Sequence, residues 1–105
     1  MAKEWGFLTN HALVLIHVFN NPRSTLREIA SEVGITERAA LNILRQMELD
    51  GCAEHERVGR KNHYTVDLRA VAARRQGRFS ISDIVRGVTR LIENLPDDGE
   101  ATSTR

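Results

Sequence analysis

The chain has 105 residues, 41% of them hydrophobic and 28% charged, the balance of a soluble globular chain with one core and not of a disordered one. No run reaches the roughly 18 consecutive apolar residues of a membrane helix, and the start lacks the basic, apolar and small-residue order of a signal peptide, so a cytoplasmic protein is expected. The lone Cys52 excludes an internal disulfide, and a net charge of +1 excludes a uniformly basic surface.

Met1 to Phe7 holds the single tryptophan, Trp5, beside Gly6 and Phe7, and fixes no regular structure. Thr9 or Asn10 then caps a helix running to about Asn20, with Leu8 and Leu13 spaced for a hydrophobic staple across the cap. Ala12, Leu13, Leu15, Ile16, Val18 and Phe19 make this helix apolar nearly all round, which predicts burial on more than one side. Asn21 and Pro22 end it, because proline disfavours helical geometry in the residue before it.

Thr25, with Glu28 three residues later, forms the reciprocal capping box of a second helix whose apolar face is Leu26, Ile29, Ala30 and Val33. Gly34 ends that helix and Thr36 caps the next, leaving the short glycine-containing connection of a helix-turn-helix. In the third helix, within Gly34 to Gly51, Ile35, Ala40, Ile43, Leu44 and Met47 mark a core-facing side, and Gly51 can adopt the left-handed conformation that stops it. Glu37, Arg38, Leu41, Asn42 and Arg45 occupy the other side. Guanidinium and amide groups can make paired hydrogen bonds to base edges in a major groove, so Arg38, Asn42 and Arg45 are candidate base contacts. Glu37 repels phosphate and is expected to support the positive end of the helix instead.

After Gly51 the period changes. Cys52 to Val58 alternates loosely, Val58 to Asn62 supplies turn residues and His63 to Val66 is rich in strand formers, which together predict a β-hairpin. Ser24 to Leu26 is the candidate for a short third strand. The hairpin tip is basic: from Arg57 to Arg78 lie Arg57, Arg60, Lys61, Arg69, Arg74, Arg75 and Arg78 against Asp67 alone. A helix-turn-helix followed by a basic hairpin is the order of a winged helix, in which the hairpin reaches phosphates or the minor groove. Ser24, Thr25, Thr36, Arg60, Lys61 and Asn62, with Arg27 and Arg57, are the candidate backbone or groove contacts.

Asp67 caps a short helix to about Gln76, and Gly77 interrupts it. Ser80, with Asp83, opens a final helix whose apolar residues are Ile81, Ile84, Val85, Val88, Leu91, Ile92 and Leu95. Their spacing makes a stripe close to a coiled-coil seam and predicts a second copy of the chain as its partner. Pro96 to Arg105 has no apolar periodicity and reads as a tail. The expected organisation is therefore a DNA-binding domain over 1–66, a helical dimerisation extension over 67–95 and a disordered tail over 96–105. The fold class is mainly α with a small β-hairpin (α+β).

Catalytic signals are missing from the sequence. It has no glycine-rich phosphate loop, paired-carboxylate site or nucleophile motif. His11, His17, His55 and His63 show no zinc-ligand spacing that recruits Cys52, so no metal or other cofactor is expected. The expected partners are double-stranded DNA and a second copy of the chain, with no membrane. A pocket between the first and final helices would admit a small-molecule effector that no residue identifies. The competing reading is a winged helix used as a protein-protein interaction module, which would put an apolar patch where the DNA reading puts cations.

The segments WGFLTNHA from Trp5, GITERA from Gly34 and RVGRKNHYTV from Arg57, covering roughly residues 5 to 66, resemble short prokaryotic winged-helix transcription regulators of the MarR and ArsR families. The resemblance implies a homodimeric DNA-binding regulator, with the helix from Thr36 in the major groove and Arg60 and Lys61 against the backbone or minor groove. By the same resemblance Thr36, Arg38, Asn42 and Arg45 are the helix contacts. The chain is shorter than full-length MarR proteins, so its dimer would depend on the final helix together with Trp5 and Phe7. The paired-cysteine motif of metal-sensing ArsR proteins is not present.

Overall fold

The computed structural model describes Gly6 and residues 8–96. Expectations about Trp5, Phe7 and residues 97–105 of the tail lie outside the described residues. The elements are α1 (Asn10–Asn20), α2 (Leu26–Val33), α3 (Glu37–Leu49), β1 (Ala53–Val58), β2 (Lys61–Val66), α4 (Leu68–Ala73), β3 (Arg75–Gln76), β4 (Phe79–Ser80) and α5 (Ile81–Glu93). They form two compact units, Met1–Ala70 and Val71–Arg105, divided within α4. The first unit extends past the hairpin because the Asp67 amide donates to the Cys52 carbonyl at 2.8 Å.

Local chemistry sets the helix ends of the first unit. Thr9 caps α1 by accepting from the Ala12 amide, and Thr36 caps α3 by accepting from the Ala39 amide. Thr25 and Glu28 make a complete capping box on α2. Gly34 and Gly51 take φ values of 85° and 78°, left-handed backbone that costs a glycine little. At each, the next amide returns to the preceding helix, Ile35 to the Ala30 carbonyl at 3.0 Å and Cys52 to the Met47 carbonyl at 2.9 Å. These closures satisfy carbonyls that the helix ends would otherwise leave unpaired.

The core joins all three helices to the hairpin. Val14 and Val18 of α1, Ile29 and Ala30 of α2, Ala40, Ile43, Leu44 and Met47 of α3, Ala53 and Tyr64 form one buried cluster, with Leu15, Leu26, Val33, Ile35 and Val66 packed against it. The apolar faces expected for α2 and α3 are the ones buried. Helix α1 departs from expectation: Val14 and Val18 are its buried residues, while Leu13, Ile16 and Phe19 are 36%, 47% and 52% exposed. A helix packed on one side cannot bury a stripe about a third of a turn or more away from that side, however apolar it is.

Strands β1 and β2 pair antiparallel from Ala53 with Val66 to Val58 with Lys61. The turn is therefore Gly59-Arg60 alone, tighter than the expected Val58 to Asn62. Gly59 has φ 64° and no other residue type has positive φ among the described residues, the pattern of a type II′ hairpin turn. Ser24 to Leu26 adds no third strand. The sheet has two strands, and the Tyr64 amide on the β2 edge donates instead to the Pro22 carbonyl at 3.0 Å. Pro22 has no amide with which to return such a bond, and Leu26 already belongs to α2.

In the second unit the helix expected to reach Gln76 stops at Ala73, and a short hairpin takes its place, pairing Arg75 with Ser80 and Gln76 with Phe79. Ser80 and Asp83 then form the capping box that starts α5. None of the residues of α5 is buried. Among the described residues no helix is long and apolar enough to cross a membrane.

Leu44 is one of the largest fully buried side chains of the first unit. Its truncation, Leu44→Ala, removes transfer free energy and leaves a cavity, so urea unfolding should show a loss of about 2–5 kcal/mol.

Candidate nucleic-acid interface

Burial of Ala40, Ile43, Leu44 and Met47 sets the rotation of α3. Arg38, Asn42 and Arg45, spaced four and three residues apart, are all exposed and share the opposite side. Leu41, expected on that outward face, is half-buried. Glu37 lies in the first turn, where a negative charge complements the helix dipole, and its Oε2 is 3.7 Å from Arg27 Nε of α2. Both side chains of that pair are well exposed, so it orients Arg27 more than it stabilises the fold.

The end of α3 is tied to the hairpin. The Gly51 closure leads into β1 within two residues, and His55 Nδ1 hydrogen-bonds Glu48 Oε2 at 2.5 Å. The His55 and Tyr64 rings, opposite one another across the strands, have centroids 5.8 Å apart. Sequence reading missed Glu48 and His55 as the link between helix and hairpin. Its only trace was the separation, since an acid in the last turn of a helix and a histidine seven residues later can meet only if the chain reverses between them.

The expected backbone contacts fall into two groups. Arg57, Arg60 and Lys61 are exposed at the hairpin tip, and Arg57 Nε donates to the Gly59 carbonyl at 3.3 Å. Lys61 also lines an open depression with His17, Arg23, Ser24, Glu28 and Glu32. Its charge is therefore partly offset by acids, and Arg60 carries the tip. Thr25 and Thr36 have their hydroxyls engaged as helix caps, and Ser24 Oγ is 2.9 Å from His17 Nε2. Asn62 departs furthest from expectation. It is half-buried, its Oδ1 is buried without a partner, and its side chain hydrogen-bonds Tyr64 within the same strand.

Two groups have shifted proton affinities. The Thr25 backbone amide holds the Glu28 carboxyl below its ordinary value, with smaller help from Lys61 and His17. Burial pushes the Tyr64 phenol up, more than its hydrogen bond with Asn62 lowers it. Among the described residues no group of three or more His, Cys, Asp and Glu could hold a metal ion.

The helix-turn-helix, the outward polar side of α3 and the basic two-residue hairpin tip are the defining parts of one architecture. A family model described as winged helix-turn-helix DNA-binding matches residues 10–53. The fold is a winged helix-turn-helix. Solved structures extend the likeness over most of the chain at low identity. MepR, a transcription regulator of the Staphylococcus aureus multidrug efflux pump MepA, is 15% identical with a TM-score of 0.58, over 91% of this chain and 71% of that one. PcaV, a transcriptional regulator from Streptomyces coelicolor in complex with its natural ligand, is 17% identical with a TM-score of 0.57, over 92% and 69%. FabT from Streptococcus pneumoniae in complex with DNA is 15% identical with a TM-score of 0.57, over 90% and 66%. No curated protein matches the sequence. The likeness to winged-helix regulators of the MarR-like kind holds at the level of the fold.

The raised Tyr64 phenol has a pH consequence. The folded state retains that proton where the unfolded chain loses it, so the contribution is complete below the ordinary tyrosine range and declines as pH rises above about 10. Thermal melts from pH 8 to 11 should show this alkaline decline in the unaltered chain and a shallower one in Tyr64→Phe.

Proposed function

We propose that the chain is a homodimeric transcription regulator that binds double-stranded DNA, with α3 in the major groove and the β1–β2 tip against the backbone or minor groove. The observation that carries this reading is the exposed trio Arg38, Asn42 and Arg45 on a helix whose other side is locked in the core, next to a hairpin ending in Gly59-Arg60. Arginine pairs with guanine and asparagine with adenine, and each good bidentate contact discriminates by about 1–3 kcal/mol. Arg60 and Lys61 supply phosphate contacts, and Ser24, Thr25, Arg27, Thr36 and Arg57 are secondary candidates. The match of residues 10–53 to a DNA-binding family model and the fold shared with FabT, a protein solved in complex with DNA, support it.

Pairing of two chains completes the reading. The α5 stripe leaves Val85, Leu91, Ile92 and the following Leu95 at 55%, 54%, 62% and 63% exposure, while Ile81, Ile84 and Val88 are partly covered. A second copy would cover it, and two-fold symmetry would set the two α3 helices about 34 Å apart, one DNA turn. A small-molecule effector belongs to this reading as a further element, since PcaV was solved with its natural ligand. The protein-protein alternative draws on the same exposed apolar residues but leaves the polar trio on α3 without a role.

Binding to duplex DNA across a salt series is the deciding measurement. Affinity should fall steeply as salt rises. Arg38→Ala and Asn42→Ala should relax sequence preference, whereas Arg60→Ala should weaken all sequences alike; salt-independent binding, or none at low salt, refutes the reading. Dimerisation is checked separately. Ile92→Glu places a charge on an exposed stripe residue and should give monomers in sedimentation, while an unchanged mass would refute the α5 seam.

A further inference from the structure

The β3–β4 hairpin repeats, in miniature, the construction of the β1–β2 hairpin. Both are closed by a two-residue Gly-Arg turn, Gly59-Arg60 in one and Gly77-Arg78 in the other, with φ of 64° and 61° at the glycine. Both therefore present an arginine at the second turn position, with no Cβ at the first. The smaller hairpin is held by more than its two residue pairs. The Ile81 amide donates to the Arg74 carbonyl at 2.7 Å, one step beyond the strands, and the Arg75 guanidinium donates to the Arg78 carbonyl across the turn. A turn fastened in this way holds Arg78 on a fixed backbone, although so short a ladder would be marginal by itself.

Along the chain the charge near this turn has one sign. No Asp or Glu occurs from residue 68 to residue 82, and Arg74, Arg75 and Arg78 are exposed. The next acid, Asp83, is engaged at the start of α5, where it accepts from the Ser80 amide and lies 3.5 Å from Arg86. The Arg78 side chain has no hydrogen bond or ion pair among the described residues. Its bond among the described residues is through its backbone carbonyl, which leaves the five donors of the guanidinium unengaged there. Arginine forks match phosphate oxygens geometrically.

We propose that the β3–β4 hairpin is a second, smaller wing, and that Arg78 contacts a DNA phosphate in addition to those reached by the β1–β2 tip. The proposal rests on the DNA-binding reading above and adds a site to it. Such a contact carries no sequence information, so it contributes equally to every duplex.

The test is the salt dependence of binding to a mixed-sequence duplex of about 30 base pairs. Each phosphate contact removed lowers the slope of log affinity against log salt by about 0.9. Arg78→Gln should therefore reduce the slope by about 0.9 for each chain bound, about 1.8 for a homodimer, Arg78→Lys should restore it, and combining R78Q with R60A should reduce it by about twice that amount. A merely structural role for Arg78 would change thermal stability and leave the slope alone, so melting curves accompany each variant. Should Arg78→Gln melt early, Arg78→Met, which keeps the apolar stem of the side chain, gives the same slope comparison. An unchanged slope in folded R78Q or R78M overturns the second wing and leaves the DNA reading standing. No binding by the unaltered chain overturns both.

Discussion

The burial of one side of α3 is the constraint on which the rest depends. Ala40, Ile43, Leu44 and Met47 enter the core between α1, α2 and the hairpin, and their transfer out of water fixes the rotation of the helix about its own axis. A turn of 100° in either direction would expose Leu44 and drive a guanidinium into an apolar cluster. The cost of burying that charge greatly exceeds what any surface contact returns. Arg38, Asn42 and Arg45 thus point outward because the opposite residues cannot, and the polar side is held ready before any partner arrives.

A helix fixed in rotation is useful for recognition only if the hairpin beside it is fixed as well. Gly51, in left-handed backbone, turns the chain out of α3, and the Cys52 amide bonds back to Met47 while the Cys52 carbonyl receives the Asp67 amide. One residue therefore anchors both ends of the hairpin to the end of α3. Glu48 and His55 add a side-chain tie from the helix to the first strand. Tyr64 brings the second strand into the core and, through its amide, fastens the strand edge to the turn after α1. The strands leave this anchored base and extend to an exposed Gly-Arg tip.

What the sequence revealed was local, and what it hid was the choice among equally apolar faces. Thr25 with Glu28, Thr36 with the Ala39 amide, and Ser80 with Asp83 are interactions between residues three apart, so their residue types announce them wherever the chain goes. The three-residue connection at Gly34 and the Gly59 turn are equally local. Helix α1 shows the limit. Its sequence is apolar on every side, and only the placement of α2, α3 and β2 selects Val14 and Val18 for burial over Ile16 and Phe19. Asn62 shows the same limit: its position near a basic tip suggested an exposed side chain, but the alternation of β2 turns it toward Tyr64. The β3–β4 hairpin was hidden because a strand of two residues has no period to detect. Arg75 and Gln76 read equally well as a fraying helix end.

The exposed apolar residues of α1 and α5 bear on how much DNA one chain could hold. A helix of 13 residues is about 20 Å long, and the three side chains available on α3 can reach only a few base pairs in one major groove. Single modules of this size bury a modest area on DNA, and most of their affinity comes from phosphate contacts that do not discriminate sequence. Two chains joined through an apolar seam engage two half-sites, and the second half-site is then bound intramolecularly at an effective concentration set by the seam instead of by bulk solution. A monomer gains nothing from keeping Val85, Leu91, Ile92 and Leu95 in water, and a contiguous apolar surface carries a standing risk of non-specific association. Retaining such a stripe on a regularly capped helix is physically consistent with a surface that is covered when the protein works. On the proposed reading, a symmetric partner would cover it and would also supply a second α3 to extend the few base pairs that three side chains can reach.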